Sequence, residues 1–213
     1  MQNNKLIKVY QTLLKHFGPQ HWWPGDTPFE VMIGAILTQN TNWGNVERAI
    51  ANLKQSKVLS PKSLVQVNKS KLERLIRPSG YFRVKAKKLK VFCKWMIREY
   101  QGKAGNIRGN QGELRKELLG IWGIGPETAD SILCYALDNT NFVVDAYTVR
   151  IFNRLGLIKN KDYHEIKEFF ETNLPKSLKL YKEYHALIVA LGKDICRPKP
   201  ICKKCPVATF CSY

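Results

Sequence analysis

Leu119-Gly120-Ile121-Trp122-Gly123-Ile124-Gly125-Pro126-Glu127-Thr128-Ala129 sits between two runs of helical pattern, one over 113–119 and one over 127–137. It therefore reads as the turn between two short helices. Its glycines lack Cβ, so they can take positive φ and let an anion reach the backbone. Pro126 suits a first helical turn, where its missing N–H costs little. The amides at that helix start point outward and attract negative charge. Together these features describe a phosphate clamp that ignores the attached base. A plain helix–helix turn is the alternative reading.

The pattern on either side is helical too. Leu6, Val9, Tyr10, Leu13, Leu14 and Phe17 share one face, and Gly18-Pro19 stops that helix. Residues 28–38 are apolar on most sides, as in a buried helix, and Val46, Ala49, Ile50 and Leu53 repeat the amphipathic period. Short helices are expected over 61–67 and 70–76. A long basic one is expected over 83–100, then a glycine-rich loop over 101–111, and further helices over 144–155, 163–173 and 178–192. No strand set, internal repeat or low-complexity tract is visible, so the expected fold is all-α. On the long helix, Arg83, Lys85, Lys87, Lys88 and Lys90 read as a solvated face that attracts phosphate diffusely.

Thirty-five basic side chains against seventeen acidic ones give a net charge of +18. That balance favours a polyanionic partner, nucleic acid first. No apolar run approaches the roughly 18 residues of a membrane helix. Met1-Gln2-Asn3-Asn4-Lys5 has no secretory pattern. The expectation is a cytoplasmic monomer with no membrane partner, nucleoid-associated if the source is prokaryotic.

Of the six cysteines, Cys93 and Cys134 lie within helical apolar patterns and read as buried thiols. The other four form Cys196-x5-Cys202-x2-Cys205-x5-Cys211, which in a reducing compartment reads as a metal-ligand set rather than disulfides. On spacing alone, a [4Fe–4S] cluster and a single zinc both stay open.

Residues 119–137 resemble the helix–hairpin–helix of the endonuclease III superfamily of DNA glycosylases. Val143-Val144-Asp145-Ala146-Tyr147 resembles the segment that carries that superfamily's catalytic aspartate, and the likeness runs from about residue 9 to the terminal cysteines. The resemblance implies a six-helix barrel over 26–138 and a second lobe of 1–25 with 139–213. The hairpin and Asp145 would then flank a cleft between them. It also implies a [4Fe–4S] cluster on Cys196, Cys202, Cys205 and Cys211, and duplex DNA with a damaged base as partner. In such hairpins a monovalent cation often sits under the carbonyls. Bifunctional members carry a catalytic lysine where this chain has Glu127, and a carboxylate cannot form a Schiff base with a sugar. A monofunctional enzyme that uses water fits better.

The similarity is closest to 3-methyladenine DNA glycosylase III, through the hairpin segment ending at Tyr135 and through Trp22-Trp23-Pro24. The resemblance implies an alkylpurine pocket of Trp22, Trp23, Pro24 and Trp43, with Trp23 and Trp43 sandwiching the base and Glu127 beside it. Core packing is the alternative for the tryptophans. Asp145 would stabilise a sugar cation, with a helix N-cap as the alternative reading and both roles compatible. Gln39 and Tyr81 match residues that hold the duplex open, while Gly123, Gly125 and Thr128 would meet the DNA backbone. The rival readings are an endonuclease III-like glycosylase and AP lyase for oxidised pyrimidines, and a non-catalytic iron–sulfur DNA-binding sensor.

Overall fold

Side-chain caps and prolines set where the helices begin. In the computed structural model, which describes residues 2–159 and 161–213, Thr27 and Ser60 accept a first-turn N–H, and Pro28 and Pro61 follow as the first helical residues. Asn42, Asn68, Asn110, Asp145, Asp162 and Ser177 cap in the same way. Each such cap contributes about 1 kcal/mol. The fold is all-α, with no strand among the described residues. Its α-helices are α1 (Gln2–Phe17), α2 (Pro28–Leu37), α3 (Trp43–Gln55), α4 (Pro61–Gln66), α5 (Lys69–Leu75), α6 (Phe82–Tyr100), α7 (Gln111–Gly120), α8 (Pro126–Ser131), α9 (Ala146–Arg154), α10 (Tyr163–Asn173) and α11 (Leu178–Asp194). None of the described helices is long and apolar enough to cross a membrane.

Two of the boundary differences from the periodicity have a local cause. The helix expected from Val144 starts at Ala146, because Asp145 caps it from extended backbone at φ −118° and ψ −179°. The helix expected to reach Leu137 leaves the α form at Ser131 and passes into a π-helical turn, Ile132–Ala136. Such turns concentrate at functional sites.

The chain divides into two compact units, Trp23–Asp138 and the remainder, which runs up to Trp22 and resumes at Asn139–Tyr213. Trp23, Pro24 and Gly25 thus group with the helices that follow them. Trp23 packs there on Trp43 and Tyr135.

In the discontinuous unit, Leu6, Val9 and Leu13 of α1 meet Ile151, Phe152, Ile166, Phe170, Tyr184, Leu187 and Leu191 in one core. Phe142 stacks on Phe170 at 4.2 Å. Tyr184 Oη donates to the Leu6 carbonyl at 2.8 Å, which ties α11 to α1. In the Trp23–Asp138 unit, α2 is buried nearly all round and packs against α3, α6, α8 and the π turn. Fully burying one such aliphatic side chain contributes roughly 1.5–3 kcal/mol.

The solvated basic face expected on α6 is corrected. Lys85 is only 2% exposed, and its ammonium donates to the carbonyls of Leu37 at 2.8 Å and Ser79 at 2.6 Å. Lys90 donates to the carbonyls of Val65 and Val67 at 2.7 and 2.6 Å. These lysines point inward because neighbouring helix ends offer carbonyls that helical bonding leaves open. Burial lowers the Lys85 ammonium to about 8, with Lys88 adding to the shift. Arg83 and Lys87 do stay exposed.

Candidate active site

The hairpin belongs to the Trp23–Asp138 unit. Ile121 and Ile124 are buried and anchor its turn, and Ile124 N–H donates to the Ile121 carbonyl. A partly buried ion pair pins its two helices: Arg115 of α7 grips the fully buried Asp130 of α8 through Nε at 2.8 Å and Nη2 at 3.2 Å. The two hairpin glycines serve different needs. Gly123 lies at φ +88°, and a Cβ there would stand 2.6 Å from Cγ of Lys88. Gly125 has an ordinary φ of −95°, and a Cβ there would meet nothing within 4 Å. Gly123 is therefore shaped by the protein's own packing, whereas Gly125 leaves bare backbone facing open space.

Thr128, expected to meet the DNA backbone, has its side chain turned inward. It is 6% exposed, and its Oγ1 accepts from Gln39 Nε2 at 2.9 Å. The same Gln39 nitrogen donates to the Gly123 carbonyl at 3.1 Å, so that hairpin carbonyl already has a partner. Lys88 Nζ donates to the Gln39 Oε1. Gln39 is thus held by three hydrogen bonds. Tyr81, by contrast, is 69% exposed and sits at φ +45°, in the left-handed region that non-glycine residues avoid. Glu127 is exposed in the first turn of α8.

The aromatic group in this unit is built on Gly34. A Cβ there would lie 3.4 Å from the Trp23 Nε1 and 3.5 Å from the Trp43 Cη2. Both indoles press against α2 because that residue is small. Trp23 and Trp43 meet edge to face, with centroids 5.2 Å apart and planes at 87°. The parallel sandwich expected of them is therefore not preformed, and edge-to-face packing is the arrangement that aromatic quadrupoles favour. Tyr135, from the π turn, adds a third ring 5.1 Å from Trp23. Trp43 Nε1 donates to Glu47 at 2.8 Å. Pro24 is exposed and lines a small hollow of about 260 Å³ with Trp43, Asp26, Glu30, Glu47 and Lys54.

Asp145 belongs to the other unit, where its two oxygens divide their work. Oδ1 accepts from the Thr148 N–H at 2.7 Å and from the Thr148 hydroxyl at 2.8 Å, which makes the helix cap. Oδ2 takes no part in the cap and lies 3.6 Å from His185 Nε2, longer than a hydrogen bond but close for a charge. The carboxylate is 11% exposed. Burial pushes it up, but His185 and the two Thr148 donors outweigh burial and hold it below the ordinary carboxylate value. Trp22 stacks on the His185 ring with centroids 5.5 Å apart. Trp22 thus packs on the carboxylate's neighbour, within the same unit as Asp145.

The four terminal cysteines form no disulfide. Among the described residues, no group of three or more His, Cys, Asp or Glu side chains is arranged to hold a metal ion. Cys196, Cys205 and Cys211 nonetheless pack against the same core. Burial raises the Cys205 thiol first, the Val207 N–H opposes it, and Cys196, Cys211 and Cys202 add to the rise. Arg154 of α9 organises the loop, donating to the Cys196 Sγ at 3.3 Å and to the carbonyls of Arg197 and Pro198. Cys93 and Cys134 are buried, as their helical context suggests.

Sequence reasoning missed Tyr135 and His185 as site residues. Tyr135 carried a signal only in its place after the hairpin, and a lone histidine on a helical face carried none.

The model of the HhH-GPD superfamily base excision DNA repair protein matches residues 33–176. A protein of Methanocaldococcus jannaschii, provisionally named a DNA repair glycosylase, is 52% identical over 217 residues and 99% of each chain. Endonuclease III of Thermotoga maritima is 29% identical over 97% of this chain and 92% of its own. Among solved structures, the H. pylori 3-methyladenine DNA glycosylase bound to 1,N6-ethenoadenine aligns with a TM-score of 0.77 at 32% identity, over 90% of this chain and 97% of that one.

Proposed function

The chain belongs to the HhH-GPD superfamily of base excision DNA repair proteins, and we propose that this DNA glycosylase is monofunctional and removes alkylated purines, 3-methyladenine foremost. The observation that carries the reading is the aromatic group in which Trp23 and Trp43 rest against Gly34 and Tyr135 packs on Trp23. The H. pylori 3-methyladenine enzyme, with 32% identity, supports it.

A base inside a duplex is out of reach, so the enzyme must extrude it at a cost of a few kcal/mol. A purine methylated at N3 is cationic. Indole faces attract such a ring by roughly 0.5–2 kcal/mol through cation–π interaction, and stacking adds about 1–3 kcal/mol. Because Trp23 and Trp43 stand edge to face, the base would displace one ring from the other rather than enter a waiting slot. The glycosidic bond of the cationic nucleoside is already weak. It breaks with its electron pair leaving on the base, which departs neutral as 3-methyladenine. Asp145, kept ionised by His185 and Thr148, stabilises the positive charge left on the sugar. Water then adds at C1′, and the carboxylate accepts its proton.

Glu127 stands where a lyase would need an amine, so no covalent sugar adduct is expected. The second reading, an endonuclease III-like lyase, draws on the Thermotoga maritima relative. Chromatography of bases released from dimethyl sulfate-treated DNA separates the two. Release of 3-methyladenine is expected, with no release from an oxidised-pyrimidine duplex and no borohydride-trapped adduct. A trapped adduct or pyrimidine release would favour the lyase.

The cysteine loop fits a [4Fe–4S] cluster by its donor set of four thiols, with the Arg154 guanidinium beside Cys196 to offset thiolate charge. Cys196, Cys202, Cys205 and Cys211 would hold it. When bound, the cluster would supply structure, closing the loop that begins just past α11. Anaerobically prepared protein is expected to hold about four irons per chain with visible absorbance. Cys205→Ser should lose both, whereas about one zinc per chain and no colour would refute the cluster.

A further inference from the structure

Both residues read as duplex-opening sit in strained surroundings. Tyr81 lies at φ +45°, and Asn40, next to Gln39, lies at φ +54°. Left-handed backbone at non-glycine residues persists only where the surroundings impose it. Tyr81 is 69% exposed, so its own packing does not impose it.

The first turns of α6 do. Lys85 Nζ is bonded at once to the carbonyl of Leu37, the last residue of α2, and to that of Ser79, two residues before Tyr81. A buried ammonium at a helix C-terminus meets both the open carbonyls and the negative end of the dipole. One turn further on, Lys88 orients the Gln39 amide, whose nitrogen then bonds Gly123 and Thr128 of the hairpin. The missing Cβ of Gly123 makes room for the Lys88 stem. All of these residues lie within the Trp23–Asp138 unit.

We infer that Lys85 and Lys88 are positioning residues that lock Gln39, Tyr81 and the hairpin into one preset duplex-opening device. They act through main-chain carbonyls and the Gln39 amide rather than through phosphate. The inference rests on reading Gln39 and Tyr81 as the residues that open the duplex. Losing either ammonium frees one opening residue to relax, so the energy of DNA binding is no longer spent on parting the stack. Binding to DNA that is already open should be indifferent to the change.

The test uses the full chain and a duplex with 2-aminopurine beside a tetrahydrofuran abasic analogue, whose fluorescence rises as the stack opens. The comparison duplex carries a three-nucleotide bulge at the same place, so it is open beforehand. Lys88→Met should lower the opening equilibrium at saturating protein by about tenfold, the scale of one charge-assisted hydrogen bond. Affinity for the bulged duplex should stay unchanged, and Lys88→Arg should restore opening. Lys85→Met should behave alike. If that variant fails to fold, the Lys88 pair decides. Equal weakening on both duplexes, or unaltered opening, overturns the inference. Gln39→Ala and Tyr81→Ala serve as references. If neither impairs opening, the reading beneath the inference fails as well. If both impair it while the Lys88 variants do not, only the inference fails.

Discussion

Asp145→Asn should slow base release by about 10²–10³-fold, the range seen when one preorganised electrostatic stabiliser is removed. The substitution is informative because it leaves the local structure alone. Asparagine retains an oxygen where Oδ1 now accepts from the Thr148 N–H and hydroxyl, and Asn caps a helix about as well as Asp. What disappears is the charge carried towards Oδ2 and His185. Single-turnover release from methylated DNA, with a melting curve as control, measures the effect. Undiminished release would leave Asp145 as a cap and nothing more.

The same variant carries a pH signature. The folded carboxyl lies below its ordinary value, near 3.9 in an unfolded chain. A depressed acid contributes stability that is fully present above the unfolded value and lost as pH falls through the folded one. The wild type should therefore lose this contribution on the acid side of about pH 4. Asp145→Asn should lack that component of the melting profile, and above that range its melting should be independent of this group.

Trp23→Ala has the second-largest expected effect, a fall of about 10–10³-fold in kcat/KM for a cationic alkylpurine, from the sum of stacking and cation–π attraction. The ring also packs on Trp43, Tyr135 and Gly34, so part of any loss in the alanine variant is structural, and Trp→Ala truncation costs about 3–5 kcal/mol at a fully packed site. Trp23→Phe separates the two, because it keeps an aromatic face while weakening the quadrupole. It should spare the melting temperature more than the alanine variant does, and should discriminate against cationic 3-methyladenine more than against neutral hypoxanthine. Equal losses on both bases would mean that charge recognition does not reside in this ring.

The lysines of α6 show where a linear reading stops. Lys85, Lys87, Lys88 and Lys90 look alike in sequence, each a cation on one long amphipathic helix. Lys87 stays exposed and lies over the Trp122 ring at 4.2 Å. Lys85 disappears beneath the ends of α2 and the turn at Ser79. Helical periodicity gives the direction of a side chain about its own axis, but it holds no information about which chain end will arrive beside it. The same limit hid His185, forty residues beyond Asp145 and joined to it only by packing.

Local rules were enough for the rest. The period of 3.6, the Gly-Ile-Gly-Pro turn and a string of Ser, Thr, Asn and Asp caps are short-range properties, so the all-α architecture, the hairpin and the place of Asp145 at a helix start were determined by the sequence alone. Contacts between residues far apart in the chain decided what remained. Gly34 draws Trp23 and Trp43 together, Lys88 turns Gln39 towards the hairpin, and His185 holds the second oxygen of Asp145 in its ionised form. Those outcomes depend on which surfaces the collapsed chain brings within a few ångströms of each other, and only tertiary packing sets that distance.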